Sequence, residues 1–391
     1  MKYYDIIIVG GGAAGFFTAI NSPLNKTKLL LEKQKDMGVK VLLSGGERAN
    51  LTNIDIIPER DYFGQNKKAL ISMFKKFNQY DAISYFSNMG ASIVEEDRGR
   101  MILESGDSKE LLAILVKNAL KNKTMLKTNS GVIEVKKVLD LFEIKTISGD
   151  IFHSEKLVIT TGGKSFPQVG TTGDGYQIAK NFGHTILEPH RGLSGLVTIT
   201  NLSEISGIST NLELKIFSKI TKKEIYKEFG PLLFTHFGVS GPIIFNGAVA
   251  IGEYINSLNL DEFISSLDFS KIPENEKNDF IQRSFIKENI YVTLDFDLEN
   301  TPKKLKSFFN LDLENTKINL SLQDYRSWRE AKVTGGGVKI DELTNNLESK
   351  LVKNLYFAGE ILDITGKTGG FNLQLSWTSG FIVGQNIYVG K

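Results

Sequence analysis

The chain opens on an apolar run, Ile6-Ile7-Ile8-Val9, that breaks at Gly10 and resumes as Phe16, Phe17 and Ile20 at helical spacing. A second run, Leu29-Leu30-Leu31, ends at Glu32. Continuous apolar runs predict strands buried on both faces, so residues 1–33 predict strand, glycine turn, helix, strand. Residues 34–65 are rich in Gly, Asn and Thr and predict an extended loop. Three amphipathic helices follow. Ala69, Leu70, Met73, Phe74 and Phe77 share one face of the first. Ile83, Tyr85, Phe86 and Met89 mark the second, closed by Gly90, and Leu111, Leu112, Leu115 and Ala119 mark the third, from about Ser108. Residues 131–160 predict a β-meander.

The period changes after Pro189. Leu212, Leu214 and Ile216 alternate with Glu213 and Lys215, and a Ser/Thr/Lys turn leads back through Ile225 and Tyr226. Alternation of this kind predicts antiparallel strands with one wet face. Residues 242–310 predict short helices joined by charged, Asn-rich linkers, with Ser240 as an N-cap and Pro242 in a first turn. The glycine-rich style returns at Ala331, followed by an apolar strand at Leu355–Ala358 and a helix from Phe371. The simplest organisation is one α/β dinucleotide-binding domain made from 1–190 and 331–391. The insert spans 191–330, β-rich over 191–250 and helical or irregular over 251–325.

The segment Gly10-Gly11-Gly12-Ala13-Ala14-Gly15 sits between the first strand and the first helix. Gly10 allows the tight turn, Gly12 lets backbone approach a pyrophosphate, and Gly15 lets helix pack on strand. An anion then meets the helix N-terminus, and Glu32 ends the second strand where an acid accepts hydrogen bonds from a ribose. Four further segments fit FAD. Thr161-Gly162 turns at a strand end. Val132 starts a strand able to offer main-chain groups to adenine. Glu360 after Gly359, with Asp363 nearby, places carboxylates for ribitol hydroxyls. Gly370-Phe371-Asn372 opens the last helix, whose N–H groups would stabilise negative charge at N1 of reduced flavin. The loop from Lys40 through Ser44, Gly45, Gly46, Arg48, Asn50, Thr52 and Asn53 has the small and polar residues needed to wrap a pyrophosphate and a flavin edge.

Composition narrows the chemistry. Net charge is +2, too small to argue for nucleic acid alone, and the basic residues are mostly lysine. The chain has no cysteine, which excludes disulfides, thiolate metal sites and a redox-active cysteine pair, and suits a cytoplasmic protein. No metal site is expected. No signal peptide and no membrane span are expected. His236, in Leu233–Pro242, is the best placed of four histidines for proton transfer, against the alternative that it only packs. An insert leaving from strand ends is expected to wall the ligand site.

The runs SGGERANLTN at 44–53, TTGGKSFPQVGTTGDGYQIAKNFGH from Thr160, LFTHFGVSGP from Leu233, AKVTGGGV from Ala331 and LYFAGEILDITGKTGGFNLQLSWTSG from Leu355 resemble the BaiN/YhiN-like FAD-dependent oxidoreductases, some of them labelled aminoacetone oxidases. The resemblance spans nearly the whole chain. It implies a two-part Rossmann-like FAD-binding domain, an inserted β-barrel-like domain and a small helical subdomain. It also implies FAD contacts at Gly10 to Ala14, Glu32, Lys33, the Ser44–Asn53 loop, Val132, Thr161, Gly162, Gly359, Glu360, Asp363, Gly370, Phe371 and Asn372. Glu47 and Ala49 stand where the family usually has Gly and Cys, so chemistry assigned to that cysteine is absent here. The segment at about 255–325 looks short, which implies a reduced helical subdomain. The family is linked to reduction of polarised C=C bonds, including a uridine of large-subunit (23S) ribosomal RNA and unsaturated steroid acids. The leading expectation is dihydrouridine synthesis in ribosomal RNA with hydride from reduced flavin. NAD(P)H is the expected electron donor, and because the chain has no second glycine fingerprint it is expected to bind transiently at the flavin face and not in a Rossmann domain of its own. The alternatives are an NAD(P)H-dependent reductase or oxidase of a small metabolite, and a non-catalytic flavin- or RNA-binding protein.

Overall fold

The computed structural model describes residues 2–46, 48 and 50–388, in two units: 2–187 with 337–388, and 188–336. The sequence puts these boundaries at 190/191 and 330/331. Each unit has its own apolar core.

In the first unit a parallel sheet runs Thr124–Lys127, Lys28–Leu31, Lys2–Val9, Ile151–Ile159. The long Ile151–Ile159 strand then divides its far edge. Its first half pairs antiparallel with Leu141–Thr146 of the meander, and its second half pairs parallel with Leu355–Phe357. Ile6, Ile7, Ile8, Leu157, Val158 and Ile159 are fully buried, as a sheet covered on both faces demands. Each such side chain contributes roughly 1.5–3 kcal/mol. The helices Ala13–Asn21 and Phe371–Asn386 pack on each other, so the two ends of the chain build one layer. The predicted helices occur as Lys67–Lys76, Gln79–Asn88 and Ser108–Lys121. The stretch expected as an extended loop at 34–65 instead contains the strands Asn50–Asn53 and Tyr62–Phe63. Asn50–Asn53 pairs with Arg100–Leu103, a partner remote in sequence, so its four residues carry no periodic signal of their own.

The second unit is built on a closed barrel of six strands: Leu196–Thr198, Gly238–Ser240, Glu224–Thr235, Ser209–Ser218, Ile290–Phe296 and Lys317–Tyr325. The Pro242–Asn256 helix packs on the Glu224–Thr235 strand. Two of the six strands lie in 251–325, which the sequence reading assigned to helical or irregular structure. Ile290, Val292, Leu294 and Phe296 are buried and alternate with half-exposed residues, so their period was two all along. Helical pieces remain at Asp261–Ser265, Lys277–Asn289 and Lys303–Phe309. Among the described residues no helix is long and apolar enough to cross a membrane.

One buried histidine sets a pH dependence for the first unit. The His184 side chain has no exposed surface; its Nδ1 lies 3.0 Å from Glu342 Oε2 and its Nε2 2.7 Å from Ser349 Oγ. Burial pushes its pKa below 6.5, and the Glu342 carboxylate only partly offsets this. Burial also pushes Glu342 up, but hydrogen bonds from Thr185 and His184 outweigh that and hold it low. The unfolded chain therefore takes up a proton on residue 184 at about pH 6.5 while the folded chain resists it. The His184 contribution is whole above that pH and is lost as pH falls from there toward the lower folded value. Glu342 acts at more acid pH. Denaturant melts between about pH 5 and 7.5 should show stability falling on the acid side, with a shallower slope in His184→Asn. An unchanged slope in the variant would refute the assignment.

Candidate functional site

The turn after the first strand uses its glycines for three separate purposes. Gly10 has φ 111°, and a Cβ there would lie 2.5 Å from the Thr160 carbonyl oxygen. A Cβ on Gly15 would lie 2.0 Å from the Gly10 oxygen, so the helix touches the turn backbone to backbone. A Cβ on Gly12 meets nothing within 4 Å: this position faces open space. Gly12 is also the N-cap of the first helix, with no side chain capping it. The N–H groups of that first turn are left without a side-chain cap, beside open space at Gly12, which is the setting in which a helix start favours an anion.

Glu32 braces this turn. Its Oε2 accepts from the Gly11 N–H and its Oε1 from the Gln34 N–H, both at 2.8 Å. Each oxygen keeps a second lone pair, so the acid holds the loop and still offers acceptors outward. Lys33 reaches across to Asp174 Oδ2 and Thr172 Oγ1, both at 2.6 Å. Lys33 and Val132 line one cleft of about 500 Å³ with Gln34, Gly131, Ile147 and Gln177.

Lys40 and Glu360, far apart in sequence, form a half-buried pair. Lys40 Nζ lies 2.5 Å from Glu360 Oε2, and Ser165 Oγ lies 2.6 Å from that nitrogen and 2.9 Å from Glu360 Oε1. Glu360 is therefore held in place and is not a solvated acid. Ser165 and Asp174 are not singled out by the sequence. The run from Thr160 that contains them is rich in small polar residues, and nothing local names their partners.

The last helix repeats the pattern of the first. Its N-cap is Gly370, at φ 102°, with no side-chain cap, and a Cβ there would lie 2.4 Å from the Thr52 oxygen. The Asn50–Asn53 strand is tied to this helix end: Thr52 Oγ1 donates to Gln374 Oε1 at 2.7 Å and Asn53 Nδ2 donates to the Gly369 oxygen at 3.1 Å. Tyr62 OH donates to the Phe371 oxygen. Asn372 uses its amide on its own loop, bonding both the N–H and the oxygen of Gly366 at 2.8 Å. Gly359 has φ 83°, lies against Ala14, and donates to Ser379 Oγ. Asp363 is buried, and its N–H donates to the Val338 oxygen. Gly162 adopts φ 70°, Gly45 60° and Gly46 68°, each in the left-handed region. Arg48 pairs with Glu96 at 2.6 Å.

Three of the residues singled out from the sequence keep a buried side-chain oxygen with no partner among the described residues: Ser44 Oγ, Asn50 Oδ1 and Thr161 Oγ1. Such groups cost free energy unless something else satisfies them. Glu47 and Ala49 lie outside the described residues. His236 belongs to the second unit. It is exposed, at the two-residue turn between Glu224–Thr235 and Gly238–Ser240, with its ring edge-on to Phe237 at 5.3 Å. The N-cap after that turn is Gly241, not Ser240, which closes the preceding strand.

The chain matches the family described as HI0933-like protein Rossmann domain over residues 4–386. It is 30% identical, over 100% of both chains, to the Escherichia coli K12 protein named Ribosomal RNA dihydrouridine synthase. It is 26% identical, over 97% of both, to the 3-dehydro-bile acid delta(4,6)-reductase of Clostridium scindens. Among solved structures, 3-ketosteroid-delta4-(5alpha)-dehydrogenase from Rhodococcus jostii RHA1 shares the fold at a TM-score of 0.52 and 12% identity, over 99% of this chain and 97% of that one.

The glycine geometry separates packing from ligand space. Gly12→Val should leave the thermal melt of the ligand-free protein close to wild type, because the side chain enters empty space. Gly15→Ala should lower it by several degrees, because its methyl meets a carbonyl oxygen. Equal loss in both variants would contradict this division.

Proposed function

Because the chain belongs to the HI0933-like Rossmann family and is an FAD-dependent oxidoreductase, we propose that it reduces the polarised C=C bond of a uracil base in ribosomal RNA. The observation that carries the cofactor part is the open space at Gly12 in front of an uncapped helix N-terminus. The full-length similarity to the enzyme named for ribosomal RNA supports the substrate.

The residues present fit FAD. The glycine turn and the first helix would hold the pyrophosphate, with Glu32 beside it for ribose hydroxyls. Lys33 and Val132 line a cleft with room for the adenosine end. Glu360, fixed by Lys40 and Ser165, would accept from ribitol hydroxyls. The second uncapped helix, at Gly370, would face an electron-rich ring edge with its positive dipole end. Ser44, Asn50 and Thr161 would find the partners the protein does not give them. Bound FAD supplies hydride transfer to an electron-poor carbon. NAD(P)H is the electron donor in this reading, bound transiently. His236 is the candidate proton donor.

A second reading, reduction of a small unsaturated metabolite, draws on the similarity to the bile-acid reductase. One experiment separates the two. Mass spectrometry of ribosomal RNA from a deletion strain should show a dihydrouridine lost and restored by the wild-type chain but not by Gly12→Val. An unchanged set of modified nucleosides would sink the RNA reading and leave the metabolite one. The purified protein should be yellow and release FAD on denaturation; FMN would contradict the dinucleotide reading. His236→Asn should keep its flavin and slow substrate reduction about 10²–10⁴-fold, read by stopped flow. A normal rate per folded molecule would remove His236 from the chemistry.

A further inference from the structure

The barrel turns one face inward and leaves the other wet. Along Ser209–Ser218 the residues Leu212, Leu214 and Ile216 are buried, which sends Glu213 and Lys215 outward. Across the hairpin, Lys227 stands opposite Lys215 and Phe229 opposite Glu213. This outer face has two unusual features. Phe229 is 67% exposed, although an aromatic ring on a barrel strand would ordinarily be turned inward. The hairpin tip is also basic: Lys219, Lys222 and Lys223 are exposed and make no ion pair among the described residues.

The acids on the strand portion of this face are matched by lysines. Glu213 bonds Lys215 and Lys227, each at 2.8 Å, and Glu224 and Asp295 also act on Lys215, so the excess positive charge of the hairpin lies at Lys219, Lys222 and Lys223. The tip is also held still. Tyr254 of the Pro242–Asn256 helix donates to Ser218 Oγ at 2.9 Å and bonds Thr221 Oγ1 at 3.0 Å, and the Ser218 N–H donates to the Lys223 oxygen at 3.1 Å. Lys222 sits at φ 54°, where Gly or Asn costs less, so a cationic side chain is kept at a strained position. From Lys223 to Phe229 the strand spans about 20 Å at roughly 3.4 Å per residue, the length of about three extended nucleotides. Lysines gathered at the hairpin tip, with an exposed ring at the far end of the strand, supply what a single strand needs: point charges for phosphates and a flat apolar face for a base. Lys215 and Lys227 stand between Phe229 and the stacked pair Phe217 and Tyr291, so the apolar groups of this face form no continuous band to enter a bilayer.

We infer that this hairpin, from Lys219 to Phe229, is a docking surface for single-stranded RNA. The inference rests on the RNA reading above and adds the surface that would hold the strand. It assigns the lysines to phosphates and Phe229 to base stacking.

The test is fluorescence anisotropy with a labelled oligouridine of about 16 nucleotides, titrated between about 50 and 200 mM salt. Simultaneous Lys219→Ala, Lys222→Ala and Lys223→Ala should flatten the log–log salt slope by about 2, at roughly 0.7 per lost phosphate contact. Phe229→Ala should weaken binding about tenfold with the slope unchanged, and Phe229→Trp should restore it. Lys117→Ala with Lys121→Ala, on an exposed helix face of the first unit, should change neither. All variants should retain full flavin content and a wild-type melt. If wild type binds and modifies RNA but the hairpin variants match it, the surface is wrong and the substrate reading stands. If wild type does not bind the probe, the docking surface falls, and the substrate reading is left to the ribosomal RNA measurement above. If the lysine variants instead lose only binding to phosphatidylserine vesicles, the face is a membrane contact and the inference is overturned.

Discussion

The first unit depends on backbone-to-backbone contact around the helix Ala13–Asn21. The Gly15 Cα lies against the Gly10 carbonyl, with no space for a methyl group between them. From the other end of the chain, Gly380 would place a Cβ 2.8 Å from the Ala14 oxygen, and Gly384 a Cβ 2.8 Å from the Thr18 oxygen. Gly359 closes on the Ala14 methyl in the same way. Gly380 and Gly384 are one helical turn apart, so they make a groove along the last helix into which the first one fits. This contact joins the N-terminal and C-terminal segments into one domain in spite of the long insert. It also sets two uncapped helix N-termini in one unit. Larger residues at these glycines would push the helices apart and disturb both ends at once.

That arrangement has an energetic consequence. An uncapped helix start leaves N–H groups unsatisfied, and Ser44, Asn50 and Thr161 add buried oxygens in the same condition. Each forgoes a hydrogen bond worth about 1 kcal/mol net. A ligand that satisfies them binds the folded chain and not the unfolded one, so it raises stability by mass action. The site is thus built at the expense of the ligand-free fold. Glu32 limits that loss by tying down Gly11 and Gln34 before any ligand arrives.

Much of this was legible in the sequence where the signal is local. The fingerprint from Gly10 to Gly15 reads directly, because each glycine answers a steric demand within a few residues. The continuous run Ile6–Val9 and the alternation Leu212, Leu214, Ile216 correctly separate a sheet buried on both faces from one with a wet side. The Asn50–Asn53 strand was not legible, since its four residues are made a strand by Arg100–Leu103 and by the last helix. The Lys40–Ser165–Glu360 cluster was hidden for the same reason: its three members come from three distant segments. The strands Ile290–Phe296 and Lys317–Tyr325 are a different case. Their alternation is present, but the charged and Asn-rich stretches around them carry the composition of linkers and mask it.

The barrel shows why alternation is useful beyond folding. Period two commits every second residue to the core and releases the others from any packing duty. A closed barrel also has no free edge, so its outer residues need not guard against edge-to-edge pairing. Glu213 and Lys215 can therefore serve interactions with the surroundings at little cost to Leu212, Leu214 and Ile216 one residue away. The first unit lacks that freedom. Its central strands are buried on both faces, and Gly10, Gly15, Gly380 and Gly384 are fixed by backbone contacts of 2.0–2.8 Å that a methyl would violate. Substitutions that alter recognition while keeping the fold are accordingly expected on the barrel exterior and, in the glycine-lined turn, at Gly12, whereas the helix pair allows almost none.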